Sequence, residues 1–149
     1  MTELRTILLA EDNANDVELT LAALRQNHVV NDVVVVRDGA EALDYLYRRN
    51  SYAGRSGGIP VVLLLDLKMP KVDGLEVLRA VKSDPQLKTM PIVVLTSSRE
   101  EQDLVKSYDL GVNAYVVKPV DFQGFIEAVK LVGGFWAVVN EPPPGVAHA

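Results

Sequence analysis

The chain contains no cysteine. It therefore forms no disulfide, offers no thiolate to a metal and has no cysteine nucleophile, a usage expected of a cytoplasmic protein. Dense basic clusters are missing too. Fifteen Lys and Arg stand against 20 Asp and Glu, a formal charge of −5, and no stretch gathers enough cations to track a phosphate backbone. Direct nucleic-acid binding is not expected. Long apolar runs are absent: Val33 to Val36 and Val61 to Leu65 fall far short of the roughly 20 residues needed to cross a bilayer. The start, Met1-Thr2-Glu3-Leu4-Arg5-Thr6, lacks a basic region followed by an apolar core and does not read as a secretory signal. The glycines between Asn50 and Pro60 carry no GxxxxGK[ST] pattern, so that segment reads as a connector rather than a phosphate cradle.

What is present is ordinary in amount and ordered in arrangement. With 149 residues, 48% of them hydrophobic and 23% charged, the chain can bury one real core. Short apolar runs alternate with segments of helical period, the signature of a parallel sheet with crossover helices. Five strands are expected, at Arg5 to Ala10, Asp32 to Val36, Val61 to Leu65, Ile92 to Leu95 and Ala114 to Val117. Five helices follow them, from Ala14 to Gln26, from an N-cap at Asp38 to about Arg49, from Gly74 to Ser83, from a Ser98/Glu101 capping box to about Asp109, and from Asp121 to about Gly133. Right-handed crossovers give a flavodoxin-like α/β fold, a five-stranded parallel sheet in the order 2-1-3-4-5 with helices on both faces. The domain is expected to span residues 5–139. Residues 140–149, rich in proline, read as a tail that cannot bury enough surface to order itself.

The reactive side chains gather at the carboxyl ends of strands, where open α/β sheets place their chemistry. Glu11 and Asp12 follow the first strand, Asp66 the third, Thr96 the fourth, and Lys118-Pro119 the fifth. In the 2-1-3-4-5 order these four strands are neighbours, so the groups converge in one cleft. Three carboxylates without a counter-charge repel, and a hard cation such as Mg²⁺ relieves this with oxygen ligands. Neither histidine lies near these acids, which argues against zinc. Lys118 adds positive charge and Thr96 a hydroxyl donor. The set describes a place for a phosphoryl group attacked by a carboxylate oxygen.

These residues resemble the receiver domain of two-component response regulators. The resemblance rests on Glu11-Asp12, on Asp66-Leu67-Lys68-Met69-Pro70-Lys71-Val72-Asp73-Gly74, on Thr96-Ser97 and on Ala114-Tyr115-Val116-Val117-Lys118-Pro119, and it covers about residues 5 to 133. It implies that Asp66 accepts a phosphoryl group from a phosphohistidine of a sensor kinase. It further implies Mg²⁺ held by Asp12, Asp66 and the backbone carbonyl of Lys68, with Glu11 acting mostly through water, and Thr96 and Tyr115 as a switch pair. Lys68 and Ser98 occupy positions that in the family modulate the phosphoryl lifetime.

The overall pattern resembles the small single-domain regulators paired with cyanobacterial and bacterial phytochromes. That likeness implies a bacteriophytochrome partner and a homodimer through the face of helix 4, strand 5 and helix 5, extended by Phe135 and Trp136. The chain is thus expected to be a signalling phosphoprotein that catalyses only its own phosphorylation and dephosphorylation. Two other readings stand beside it: a degenerate receiver acting only as a binding module, which the intact acids and lysine oppose, and an aspartyl-phosphate phosphohydrolase, whose nucleophile would follow the first strand instead.

Overall fold

The computed structural model describes residues 6–26, 31–69, 72–121, 123–124 and 127. Five short strands form the centre: β1 (Ile7–Ala10), β2 (Val33–Val36), β3 (Val62–Asp66), β4 (Ile92–Thr96) and β5 (Ala114–Val117). All pair in parallel, in the order β2-β1-β3-β4-β5. A parallel sheet is covered on both faces, and the near-continuous Val, Ile and Leu of these strands meet that demand. β1, β3 and β4 are buried along their whole length.

Successive residues point to opposite faces of a strand, so the sheet divides its side chains between two cores. Ile7, Leu9, Val62, Leu64, Val93, Leu95, Ala114 and Val116 pack with Val17, Ala23 and Leu24 of α1 (Ala14–Gln26). Leu8, Ala10, Leu63, Leu65, Ile92 and Val94 pack on the other face. There they meet Tyr45 and Leu46 of α2 (Gly39–Tyr47), Val77, Leu78 and Val81 of α3 (Gly74–Ser83), and Val105 of α4 (Arg99–Ser107).

Local chemistry sets the helix starts. Asp38, Asp73 and Ser98 each accept a hydrogen bond from the backbone N–H three residues on, at Glu41, Glu76 and Glu101. Each thereby satisfies an orphan donor of the first turn. The bounds of α3 and β5 match those expected from sequence, and α2 and α4 end two residues earlier. The connector after α2 contains one 3₁₀ turn, Asn50–Tyr52. Side chains fasten it to the helix: Tyr52 Oη donates to Glu41 at 2.7 Å, and Arg55 Nε donates to the Tyr45 carbonyl at 3.0 Å while its guanidinium lies 4.1 Å from the Tyr45 ring centroid.

No helix among the described residues is long and apolar enough to cross a membrane. The fifth helix expected from Asp121 to Gly133, with Phe122, Phe125, Ile126 and Val129 on its stripe, lies largely outside the described residues. So do Arg5, Pro70, Lys71, His28, Phe135, Trp136 and the tail from Asn140.

Candidate functional site

Sheet register brings the acids together. Ala10 pairs with Leu65, so the next residues, Glu11 and Asp66, stand level at the carboxyl edge of adjacent strands. Asp66 in turn pairs with Leu95, and Thr96 with Val117. Strand alternation then sorts the candidates by face. Glu11, Asp66 and Lys118 continue the set that faces α1, whereas Thr96 and Tyr115 continue the set that faces α4.

On the α1 side the groups are buried and tightly joined. Glu11 and Asp66 are 0% and 2% exposed. Lys118 Nζ lies 2.9 Å from Glu11 Oε1, 2.9 Å from Asp16 Oδ2 and 3.3 Å from Asp66 Oδ1. The Asn13 N–H donates to Glu11 Oε2 at 3.2 Å, and the Lys68 N–H donates to Asp66 Oδ1 at 3.3 Å. Asp12 is exposed beside them. Ligand oxygens of Glu11, Asp12 and Asp66 all lie within 4.8 Å of one another.

Charge at this edge is out of balance. Burial pushes the Glu11 carboxyl up to about 7, and its hydrogen bond to Asp66 and the charge there act in the same direction. Lys118 and the Asn13 N–H pull the other way without prevailing. Burial works against the Lys118 charge, but hydrogen bonds to Glu11 and Asp16 and the charge of Asp66 outweigh it and hold its pKa above the usual lysine range. One ammonium thus serves three acids, with Asp12 beside them. The arrangement fits a further hard cation: oxygen donors only, gathered within 4.8 Å of one another, with one exposed acid at an open edge.

On the α4 side the chemistry is different. Thr96 is 0% exposed, and its Oγ1 has no hydrogen-bond partner among the described residues. Tyr115 sits diagonally from it on the same face, since Val94 is the residue paired with Tyr115. The Tyr115 ring is half-buried, with Lys106 Nζ 5.3 Å from its centroid. Burial, and secondarily the charge of Asp109, raises the pKa of its phenol.

The turn after Asp66 is held close by glycine. Gly74 N–H donates to the Leu67 carbonyl at 2.9 Å, and a Cβ at Gly74 would stand 2.3 Å from the Asp66 carbonyl oxygen. Only glycine lets the first residue of α3 approach the end of β3 so closely. The Asp73-Gly74 pair therefore does two things: Asp73 caps α3, and Gly74 seats it against the acid-bearing strand.

The sequence profile of the response regulator receiver domain matches residues 7–130. The chain belongs to the response regulator receiver family. Among curated proteins, this receiver is 36% identical over 132 residues to response regulator Rcp1 of Synechocystis sp., covering 89% of this chain and 88% of Rcp1. Among solved structures, it is 60% identical to the bacteriophytochrome response regulator RtBRR, with a TM-score of 0.89 over 96% of this chain and 86% of that one. The phosphorylated cyanobacterial phytochrome response regulator RcpA is 45% identical, with a TM-score of 0.72 over 90% of this chain and 94% of that one. An Mn²⁺-bound form of Rcp1 has a TM-score of 0.72 over 93% of this chain and 99% of that one.

Two site residues were not singled out from sequence. Asp16 supplies a third acid to Lys118 from the first turn of α1; its position four residues after Asp12, where helical side chains lean back toward the amino terminus, was the available signal. Glu101 was expected to close a capping box with Ser98. Ser98 does cap α4, but the Glu101 carboxylate accepts from the N–H and the hydroxyl of Ser97, and it lies 3.5 Å from Lys68 Nζ.

Proposed function

We propose that this receiver takes a phosphoryl group from the phosphohistidine of a sensor kinase onto Asp66 and signals through the changed contacts that follow. The observation that carries the reading is the buried Asp66 carboxylate, level with Glu11 and 3.3 Å from an ammonium. An Asp66 oxygen attacks phosphorus, the bond from phosphorus to the histidine nitrogen breaks, and the imidazole leaves, giving an acyl phosphate. Asp12, Asp66 and the Lys68 backbone carbonyl would hold Mg²⁺, with Glu11 acting through water, and the bound ion would supply positive charge to the phosphoryl oxygens. Lys118 exchanges a carboxylate oxygen for a phosphoryl oxygen. Thr96 donates its free hydroxyl to another, and Tyr115, on the same face, responds to that movement.

The likeness to phytochrome response regulators supports a bacteriophytochrome as the kinase. The absence of cysteine and the dependence of such a kinase on ATP support a cytoplasmic location for the pair. Val117, exposed on β5, supports a homodimer through the face of helix 4, strand 5 and helix 5, joined by the extension after helix 5. The chain acts as a phosphoacceptor and not as an enzyme with turnover.

Acetyl phosphate with Mg²⁺ should add one phosphoryl group, visible in the intact mass, and the product should decay without continuing turnover of an ester. Asp66→Asn should abolish the adduct. Labelling that survives in Asp66→Asn would overturn the assignment, and sedimentation of the same samples as monomers at all concentrations would remove the dimer.

A further inference from the structure

Glu101 joins the two loops that border Asp66. It is the third residue of α4, and its side chain is 15% exposed. Oε1 accepts from the Ser97 N–H at 3.1 Å. Oε2 accepts from Ser97 Oγ at 3.1 Å and lies 3.5 Å from Lys68 Nζ. Lys68 follows Asp66 by two residues and already bonds it through the backbone, while Ser97 directly follows Thr96, whose buried hydroxyl has no partner among the described residues. One carboxylate therefore contacts both the residue next to Thr96 and the exposed side chain two residues beyond Asp66.

We propose that Glu101 is a positioning residue that holds the turn after β4, together with Lys68, in the arrangement of the unloaded site, and so opposes phosphoryl loading of Asp66. The inference rests on the phosphoacceptor reading of Asp66. A phosphoryl group there brings about −1.5 to −2 of charge and three strong acceptor oxygens. It competes with Glu101 for the Lys68 ammonium. It also offers the Thr96 hydroxyl an acceptor, and any shift of Thr96 toward it pulls Ser97 against its two bonds to Glu101. Both attractions work against the same carboxylate, which therefore favours the empty state.

Affinity for trifluoroberyllate with Mg²⁺, measured by titration calorimetry on the full chain, tests this in wild type, Glu101→Gln, Glu101→Ala, Lys68→Met and the Lys68→Met/Glu101→Gln double variant. Glutamine keeps an acceptor for Ser97 but loses the ion pair, whose lysine is well exposed, so about twofold tighter binding is expected. Alanine loses every contact and should bind about fivefold tighter, with a matching rise in the rate of labelling by acetyl phosphate. In the Lys68→Met background the Glu101→Gln effect should vanish.

A role confined to capping α4 would lower the melting temperature of Glu101→Ala and leave affinities at the wild-type value. That result, or weaker binding in Glu101→Gln, overturns the proposal. Should Glu101→Ala fail to fold, Glu101→Gln and the double variant decide it alone. Absence of trifluoroberyllate binding and of acetyl phosphate labelling in wild type is the separate outcome that defeats the phosphoacceptor reading itself, and this inference with it.

Discussion

On the α1 side of the sheet edge, Glu11, Asp16 and Asp66 converge on one ammonium at 2.9 to 3.3 Å. On the α4 side, Thr96 is as deeply buried as Glu11, yet its hydroxyl bonds to nothing among the described residues. The contrast follows from what each group costs when left alone. An uncompensated buried charge costs several kcal/mol, so the resting protein must settle its acids with Lys118. A neutral hydroxyl left unsatisfied costs about 1–3 kcal/mol, a strain that a folded domain tolerates. The α1 side ties its acids to a cation at rest, whereas the α4 side leaves a neutral donor without a partner among the described residues.

The strongest way to break the comparison is to remove the ammonium. Lys118→Met should destabilise the metal-free protein by about 3–5 kcal/mol at neutral pH, read as a lower urea midpoint, and millimolar Mg²⁺ should recover part of the loss. An unchanged midpoint would mean that the acids do not depend on Lys118.

A gentler probe is pH. Because the folded state raises the Glu11 pKa from 4.5 to about 7, folding favours its protonated form. The stabilisation is complete below about pH 4.5 and is lost as pH rises through 7, so metal-free stability should fall across that window by on the order of 3 kcal/mol from this group. Chemical denaturation at stepped pH, with and without Mg²⁺, measures it. The fall should be smaller with the metal present, since the cation favours the ionised carboxylate.

The smallest effect sharpens the other side. Thr96→Val replaces an unsatisfied hydroxyl by a methyl of the same shape and should raise the melting midpoint, by about 1 kcal/mol in stability, while weakening phosphoryl loading. A loss of stability would reveal a resting partner for the hydroxyl.

How far the sequence could be read differs from place to place. Glu11, Asp66, Thr96 and Lys118 were legible because each ends an apolar run, and parallel pairing with right-handed crossovers leaves few ways to order such strands. Helix faces were legible only to within a neighbouring position. Spacing alone points Leu75, Leu78 and Val81 inward on α3 and Ala42, Leu43 and Leu46 inward on α2, yet Val77 and Tyr45 are buried while Leu75 and Leu43 pack against the core only partly buried. Periodicity gives the direction of a stripe, and the neighbouring elements decide which of its residues reach the interior. The connector from Asn50 to Pro60 was read from its composition, which carries no trace of the contacts that Tyr52 and Arg55 make with α2.

By itself the sequence determined what depends on local order along the chain: strand and helix positions, the caps at Asp38, Asp73 and Ser98, and which acids stand at strand ends. Tertiary structure alone decided that Lys118 would be shared with Asp16, that Glu101 would pass over Ser98 to hold Ser97 and Lys68, and that the Thr96 hydroxyl would find no partner among the described residues. Side-chain spacing within one element is fixed by its backbone repeat. The distances between groups on separate elements are set to a few tenths of an ångström by how those elements pack, and hydrogen bonds are formed or missed on that scale.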